Sequence, residues 1–505
     1  MTAILAPSTL LTALIAVLPT YLAFQWIYNL YLHPLSQVPG PRPWSASRLP
    51  FVASLLRGTI VHDIQKLHAR YGPVLRIAPN EVTFAHPAAW NDIFQFRPDR
   101  PQFLKDPVWW NRQPGQPLSI INALDVDNHA RIRKTIAPGF TARALRSQEP
   151  MIQRYVNLLV QRLREGLDTV KAGQVKTVDI SVWFMFTTFD VFGNLGFGES
   201  FDCLQNSRYH AWIELLFNSV KAASMVAAAR FYPAIEYALM KCIPSSLKKK
   251  AENHYLQIVD KANRRRNFEL QRPDLMHHAI EAEIDKTISE DEINATFMVL
   301  TTAGSETTAT VLGGTFNYLV NNPSKLAILV NEVRSAFQSE DKITVAKLND
   351  LTYLTAVLNE GLRLCPPIPW MLPRVVPKNG EKVCGVWLPE GTQVSIQVYT
   401  MNRDEGMFHR ALEFIPERWL PESTTDTSSP FYKDQRQAMQ PFSVGPRNCM
   451  GQHIAWAEMR LIMSKLLWNF DFQASQGKQL QWEDLRTFLL VEKRPIHVDY
   501  KLRAS

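Results

Sequence analysis

Residues 442–451 of this 505-residue sequence read FSVGPRNCMG, and this stretch decides how the rest of the chain is interpreted. Cys449 stands in a loop directly before a segment whose apolar residues recur at helical spacing. The free N–H groups at the start of a helix favour a thiolate over a thiol. Gly445 and Gly451 let the backbone approach a flat or bulky group, and Arg447 offers a cation to an anion. The stretch predicts a functional cysteine rather than a buried structural one.

A thiolate with backbone donors and a nearby arginine suits a haem iron ligand. The stretch matches the pattern Phe-x-x-Gly-x-Arg-x-Cys-x-Gly, followed by Ala455, and the sequence thereby resembles the cytochrome P450 family of haem-thiolate monooxygenases. The resemblance implies that Cys449 is the axial ligand of haem b and that Arg447 contacts a haem propionate. It covers nearly all of the chain after the N-terminal segment, because three further motifs occur in the family's order.

The second motif is AGSETT at residues 303–308, in the middle of a long predicted helix. Gly304 costs about 1 kcal/mol relative to alanine inside a helix, so a local opening of the helix is expected. Glu306 and Thr307 place a titratable group beside a hydroxyl, the parts of a proton relay. A threonine that bonds back to the preceding turn is the alternative. The resemblance implies that Glu306 and Thr307 lie on the distal haem face and deliver protons to dioxygen.

The third motif is HARIR at residues 129–133, where many members of the family have Trp-x-x-x-Arg. His129 replaces the tryptophan, and both side chains can donate a hydrogen bond to a propionate. The resemblance implies that His129 and Arg133 are propionate contacts. Arg374, which follows Pro373, stands where the family often has another.

A fourth motif pairs Glu360 with Arg363 three residues later on a predicted helix. Alone, such a pair is most often an exposed contact without a function. Together with Arg418, in the stretch PERW at 416–419, it resembles the family's Glu–Arg–Arg triad. We therefore expect these three side chains to support folding and the haem pocket.

The N-terminal segment has the composition of a membrane anchor. Residues 1–32 contain no charged residue and no histidine, and 16 of the 22 residues at 3–24 are apolar. About 20 such residues cross a bilayer core, and the Tyr and Trp residues at 21–31 suit its interface. A secretory signal peptide would need a basic region before the apolar run. Because the first cation is Arg42, the positive-inside rule places the remaining chain in the cytoplasm.

The rest of the chain is predicted to be mainly α with a minor β portion, and the resemblance implies the cytochrome P450 fold. Helical periodicity occurs at residues 63–71, 150–167, 178–195, 210–223, 256–268, 289–319, 325–337, 354–364 and 452–470. Strands are predicted at 73–78, 81–84, 374–376, 383–388 and 393–398. The expected organisation is a membrane anchor at 1–32, a proline-rich linker at 33–43 and a haem-thiolate domain at 44–505.

Composition excludes several classes of protein. Five scattered cysteines without a Cys-x-x-Cys pair argue against a disulfide framework and a zinc ribbon. The 55 basic residues exceed the 47 acidic ones, but no nucleic-acid signature accompanies them. No Gly-x-Gly-x-x-Gly binds a flavin or nicotinamide, so electrons must come from a partner. The resemblance implies NADPH–cytochrome P450 reductase in the endoplasmic reticulum membrane, docking on a basic surface that includes Arg131, Lys134 and Arg460.

The leading hypothesis is a membrane-anchored monooxygenase that uses O2 and NADPH-derived electrons on a lipophilic small molecule. By analogy, substrate contacts come from residues 103–110, 297–301, 368–372 and 487–488, which are rich in apolar side chains. The segment 197–209 and the motif at 129–133 resemble fungal members of the family that oxidise terpenoids and polyketides in secondary metabolism. A haem-thiolate isomerase or dehydratase is an alternative, although such members commonly lose the pair Glu306 and Thr307. A haem-binding carrier or sensor is a third, and it would not need that pair.

Overall fold

A computed structural model describes residues 17, 19–112, 115–169, 174–209, 211–268 and 274–503. The predicted membrane span at 3–24 lies mostly outside the described residues. Its end is helical at 19–27 and continues as a short π-helical stretch, Tyr28–Leu32.

The described chain is mainly helical, as predicted. Its α-helices are α1 (Arg42–Ala46), α2 (Leu49–Arg57), α3 (Ile60–Tyr71), α4 (Pro107–Trp110), α5 (Val126–Ile136), α6 (Ala142–Leu167), α7 (Ile180–Phe197), α8 (Cys203–Asn206), α9 (Ala211–Arg230), α10 (Pro233–Cys242), α11 (Ser245–Arg266), α12 (His277–Ile284), α13 (Glu290–Val320), α14 (Pro323–Ala336), α15 (Val345–Leu348), α16 (Thr352–Leu364), α17 (Val398–Asn402), α18 (Pro421–Thr425) and α19 (Gln452–Asn469).

The strands form small sheets at the periphery of the helices. They are β1 (Val74–Ala78), β2 (Glu81–Phe84), β3 (Leu104–Lys105), β4 (Lys176–Asp179), β5 (Met371–Val375), β6 (Glu381–Val383), β7 (Val386–Leu388), β8 (Gln393–Ile396), β9 (Phe470–Ala474) and β10 (His497–Leu502). One sheet has the order β1-β2-β8-β5-β3, in which only β2 and β8 run parallel. The others are β4-β10-β9 and the pair β6-β7.

Two of the differences between the predicted and the observed elements have a clear physical cause. The single strand predicted at 383–388 is a hairpin, because Cys384 and Gly385 both adopt positive φ and reverse the chain between β6 and β7. The helix predicted from residue 178 begins at Ile180, since residues 176–179 pair with β10 instead. The Asp179 carboxylate then caps α7 by accepting a hydrogen bond from the Ser181 N–H.

The helix α13 forms the centre of the fold. A capping box fixes its start, with Ser289 and Glu292 each bonding the other's backbone N–H. It packs against α7, α16 and α19, and most of its C-terminal half is buried. Neighbouring helices thereby hold the predicted AGSETT segment from several sides.

The helix α7 is the one helix in the described chain that is long and apolar enough to span a membrane. Within the fold, 78% of that helix is buried, and it packs along α13 and α6. We therefore interpret α7 as a core helix.

Candidate functional site

The loop before α19 is closed by its own backbone. The Cys449 N–H donates to the Phe442 carbonyl at 2.8 Å, and the Asn448 N–H donates to Gly445 at 3.1 Å. Gly445 has φ +77°, and a Cβ there would collide with the carbonyl of Phe94. Gly445 is therefore required because the backbone at Phe94 lies so close. The sequence had suggested a close approach at this glycine only by a bound group.

The Cys449 side chain is exposed, but the protein around it still desolvates a thiolate. This desolvation raises the pKa of the thiol above its usual value, while the Gly451 N–H and the charge of Arg133 act in the opposite direction. The helix start alone therefore does not produce the expected thiolate. A thiolate at this position needs a further positive charge at the sulfur, and a bound iron cation is a group of that kind.

Two predicted cofactor contacts, Arg133 and Arg447, hold this loop in place. Arg133 donates to the carbonyl and side-chain oxygens of Asn448 at 2.7 and 2.6 Å. Arg447 donates to the carbonyls of Ala123, Leu124 and Asp125 at 2.7 to 2.9 Å. Because a guanidinium has five N–H donors, both arginines retain donors for another acceptor.

The predicted residues His129, Arg133, Arg374 and Arg447 lie together in one cationic cluster, which also contains Lys105. Burial and the charges of Arg447, Lys105, Arg133 and Arg374 lower the pKa of His129 to about 3. The ring is therefore neutral at physiological pH and retains one N–H donor. Neither ring nitrogen forms a hydrogen bond with another described residue.

Lys105 is the member of this cluster that sequence analysis missed as a cofactor contact. The antiparallel pairing of β3 with β5 places Lys105 directly opposite Arg374. Lys105 donates to the Ile121 carbonyl at 2.6 Å, and its ammonium lies over the Trp110 ring. Burial, Arg374 and Arg447 lower its pKa well below the usual value. No local pattern marks Lys105, because its neighbour is 269 positions away in the sequence.

Arg374 has the fewest polar partners of the bases in the cluster. Its guanidinium lies 4.9 Å from the centre of the Phe94 ring and forms no hydrogen bond or ion pair within the described chain. Burial and the neighbouring Arg447 lower its pKa to about 9. A cluster of bases that lacks a buried carboxylate partner suits a dianion, which is the charge of the two haem propionates.

The two predicted relay residues lie on α13, which is continuous from Glu290 to Val320. The prediction that the helix opens locally at Gly304 was wrong. A Cβ at Gly304 would lie 2.9 Å from the Phe192 ring, so this glycine allows α7 to pack closely on α13.

Thr307 and Glu306 point in different directions from this helix. Thr307 is half-buried and donates to the Ala303 carbonyl at 2.6 Å, the back-bonding that was the alternative interpretation. Glu306 is 5% exposed, and its Oε1 lies 3.7 Å from the Lys493 ammonium. Among the described residues, no hydrogen bond or ion pair joins either residue to Cys449.

The predicted contacts of Glu360, Arg363 and Arg418 are confirmed. All three side chains are fully buried, with Glu360 at 2.7 Å from Arg363 and 3.2 Å from Arg418. Burial alone would raise the pKa of Glu360, but the two arginines and the Ile415 N–H hold it below its usual value. Arg418 also pairs with Asp434 at 2.5 Å.

Several other expectations are only partly met. Phe297 and Trp370, expected at the substrate, are at most 1% exposed and pack in hydrophobic clusters.

Of the three cations proposed to dock the reductase, Arg131 pairs with Glu292 at 2.6 Å, and Arg460 donates a hydrogen bond to Asn349. Lys134 alone of these three is exposed without such a partner in the described chain.

Comparison with known proteins finds relatives that match this chain over most of their length. It is 40% identical over 499 residues to the cytochrome P450 monooxygenase astA of Talaromyces wortmannii, covering 98% of both chains. It is 38% identical to versicolorin B desaturase stcL of Emericella nidulans, again covering 98% of both. It is also 38% identical to averantin hydroxylase of Dothistroma septosporum, covering 93% of this chain and 87% of the relative.

The sequence model of the family Cytochrome P450 matches residues 39–499, which include the loop at 442–451 and the whole cationic cluster. The relatives named above are a monooxygenase, a desaturase and a hydroxylase. With the motifs in the family's order and the triad assembled as predicted, the chain belongs to the cytochrome P450 family and is a haem-thiolate monooxygenase.

Proposed function

We propose that Cys449 is the axial thiolate of a haem b whose propionates are held by His129, Arg133, Arg374 and Arg447, with Lys105 as a fifth contact. The observation that carries this proposal is the cationic cluster beside the Cys449 loop. Its bases are buried or half-buried, and none of them forms an ion pair with a carboxylate among the described residues. Haem, when bound, supplies activation of O2, so that one oxygen enters the substrate and the other leaves as water.

Residues of this chain then supply the protons that the reaction consumes. Glu306 is a buried carboxylate that exchanges protons, and the Thr307 hydroxyl transfers or holds them on the face that carries the exposed Ala303. Both must release their present partners to act, since the Thr307 hydroxyl is bonded to its own helix.

We infer that the substrate is a lipophilic product of fungal secondary metabolism, with a polyketide or terpenoid skeleton. This inference is supported by relatives that cover nearly the whole chain and are named averantin hydroxylase and versicolorin B desaturase. The aromatic and aliphatic side chains of the regions expected at the substrate suit such a ligand.

The proposed setting is the endoplasmic reticulum membrane, with the catalytic domain in the cytoplasm and NADPH–cytochrome P450 reductase as electron donor. Apolar side chains are exposed on the described part of the N-terminal segment, with Phe24 61%, Ile27 56% and Leu32 66% exposed. Exposed apolar residues in a row are typical of a lipid contact. Carbonate extraction of membranes tests this: the chain should stay in the pellet, and its release would refute the anchor.

The proposed activity is tested with membranes that contain the full chain and reductase. Candidate polyketides and terpenoids are screened by the spectral shift of the haem, and binders are incubated with NADPH under ¹⁸O2. The expected result is a product with one ¹⁸O atom and a strict need for reductase. Turnover without NADPH would instead indicate the isomerase or dehydratase.

A further inference from the structure

A cavity lies beside α13, and none of the residues 442–451 lines it. It has a volume of about 390 Å³ and is bounded by the start of α7, by α9 and by the C-terminal segment before β10. Its outer rim includes Lys221 and Glu492, whose side chains are 42% and 30% exposed. Glu306 lies on its inner wall, so the cavity extends from the protein surface to the proposed proton relay.

Lys493 is the side chain that meets Glu306 in this cavity. Its ammonium lies 3.7 Å from Glu306 Oε1 and donates to the Glu306 backbone carbonyl at 3.3 Å and to the Met185 sulfur at 2.8 Å. The other carboxylate oxygen, Oε2, is buried and has no hydrogen-bond partner among the described residues. Because Glu306 also lines the cavity, water that reaches its carboxylate would satisfy this oxygen.

The charges of the cavity favour water over an ionic ligand. Its lining contains three acids and three bases, which are Asp179, Glu306, Glu492, Lys221, Lys493 and Arg494. Lys221 pairs with Glu492 at 3.0 Å, and the Asp179 carboxylate is occupied by the N–H groups of Ser181 and Ile496. At about 30 Å³ each, on the order of ten waters fit in this volume.

We propose that Lys493 is a positioning residue for Glu306 and that this cavity is the route by which protons reach Glu306 from solvent. The inference rests on the proposed proton relay of Glu306 and Thr307, and it assigns the entrance of that relay to a surface away from the Cys449 loop.

The proton step balances without any other reactant. Lys493 gives one proton to the Glu306 carboxylate through an intervening water, leaving a neutral amine and a neutral carboxyl group. The amine then takes a proton from a cavity water, and the hydroxide left behind is neutralised by a proton that enters from solvent at the rim, near Lys221 and Glu492. Burial lowers the pKa of Lys493 to about 8, against the opposing charge of Glu306, so the ammonium exchanges protons near neutral pH.

The test uses the full-length holoenzyme with reductase, NADPH and a substrate found by the screen above. Lys493→Met removes the ammonium, and Lys493→Arg keeps a cation at the same position. Lys478→Met is the control, because it removes an exposed lysine that does not line the cavity. The readouts are the product formed per NADPH consumed, the solvent deuterium isotope effect on product formation, and the carbon monoxide difference spectrum.

For Lys493→Met we expect product per NADPH to fall roughly tenfold and the isotope effect to rise, with an unchanged difference spectrum. Lys493→Arg should recover most of the coupling, and Lys478→Met should behave as wild type. If Lys493→Met forms as much product per NADPH as wild type while Glu306→Gln does not, the proposed role of Lys493 is overturned but the relay is not. Full coupling in Glu306→Gln would instead refute the proposed relay.

A second readout does not depend on turnover or on folding of the methionine variant. Lysines of wild type and of Glu306→Gln are acetylated over a range of pH, and the Lys493 peptide is quantified by mass spectrometry. Loss of the carboxylate should make the Lys493 amine several-fold more reactive at neutral pH, whereas Lys221 should not change. Equal reactivity of Lys493 in the two proteins would overturn the contact on which the proposal depends.

Discussion

Replacing Glu360 with glutamine should strongly destabilise the fold. Glu360 accepts hydrogen bonds from both arginines of the triad, from the Ile415 N–H and from the Trp419 ring, all in a fully buried position. Removing one partner from a buried ion pair costs about 3–5 kcal/mol, because charges are left uncompensated. Arg418 keeps Asp434 at 2.5 Å, so we expect the lower end, about 3 kcal/mol.

The assay is urea unfolding of the detergent-solubilised protein, followed by tryptophan fluorescence. Glu413→Gln is the matched control: Glu413 also pairs with an arginine three residues away, Arg410, but both side chains are more than half exposed. We expect no measurable change for it. Equal unfolding midpoints for Glu360→Gln and Glu413→Gln would refute the view that burial makes the triad important.

The loss of stability caused by Glu360→Gln should depend on pH. The folded-state pKa of Glu360 lies below its usual 4.5, despite burial, because Arg363, Arg418 and the Ile415 N–H favour the carboxylate. Its contribution to stability is therefore fully present above the unfolded pKa and is lost as the pH falls through the folded pKa. The difference in unfolding free energy between wild type and Glu360→Gln should shrink below about pH 4.5, and a constant difference would contradict this assignment.

Two further predictions concern the site. Thr307→Ala should retain haem but consume NADPH without forming product. Thr308→Ala removes a buried hydroxyl bonded to the Gly304 carbonyl, and it should still form product as NADPH is consumed. If Thr307→Ala forms as much product per NADPH as wild type, Thr307 is not part of the relay. Arg374→Leu should weaken haem retention about tenfold or more in a haem-transfer assay, because a buried charge-assisted hydrogen bond contributes roughly 1.5–3 kcal/mol. Arg100→Leu, whose guanidinium pairs with Glu381, should not, and equal haem loss from both would refute the cationic cluster.

Local motifs were the part of the site that the sequence could predict. The loop at 442–451 and the acid–base spacing of Glu360 and Arg363 combine rare residue types at short, fixed distances, so a few positions suffice to identify them. The prediction of Arg418 as third member succeeded for the same reason. The mainly helical class followed from apolar periodicity, which neighbouring residues determine.

The features that were missed depend on residues far apart in the chain. The strand at 176–179 exists because it pairs with β10, about 320 positions later, and local periodicity had assigned residues 178 and 179 to the helix. Lys105 joins the cationic cluster only through the pairing of β3 with β5. Gly304 was interpreted as a helix opening because its true neighbour, Phe192, belongs to another helix.

The carbon monoxide difference spectrum of the reduced protein tests the central claim most directly, that Cys449 is the thiolate ligand of a haem. Wild type should have the red-shifted Soret band of a thiolate-ligated haem, and so should Cys242→Ser, which changes an exposed cysteine. Cys449→Ser should lose this band. A folded, haem-loaded wild type without the band, or a Cys449→Ser variant that keeps it, would contradict the account.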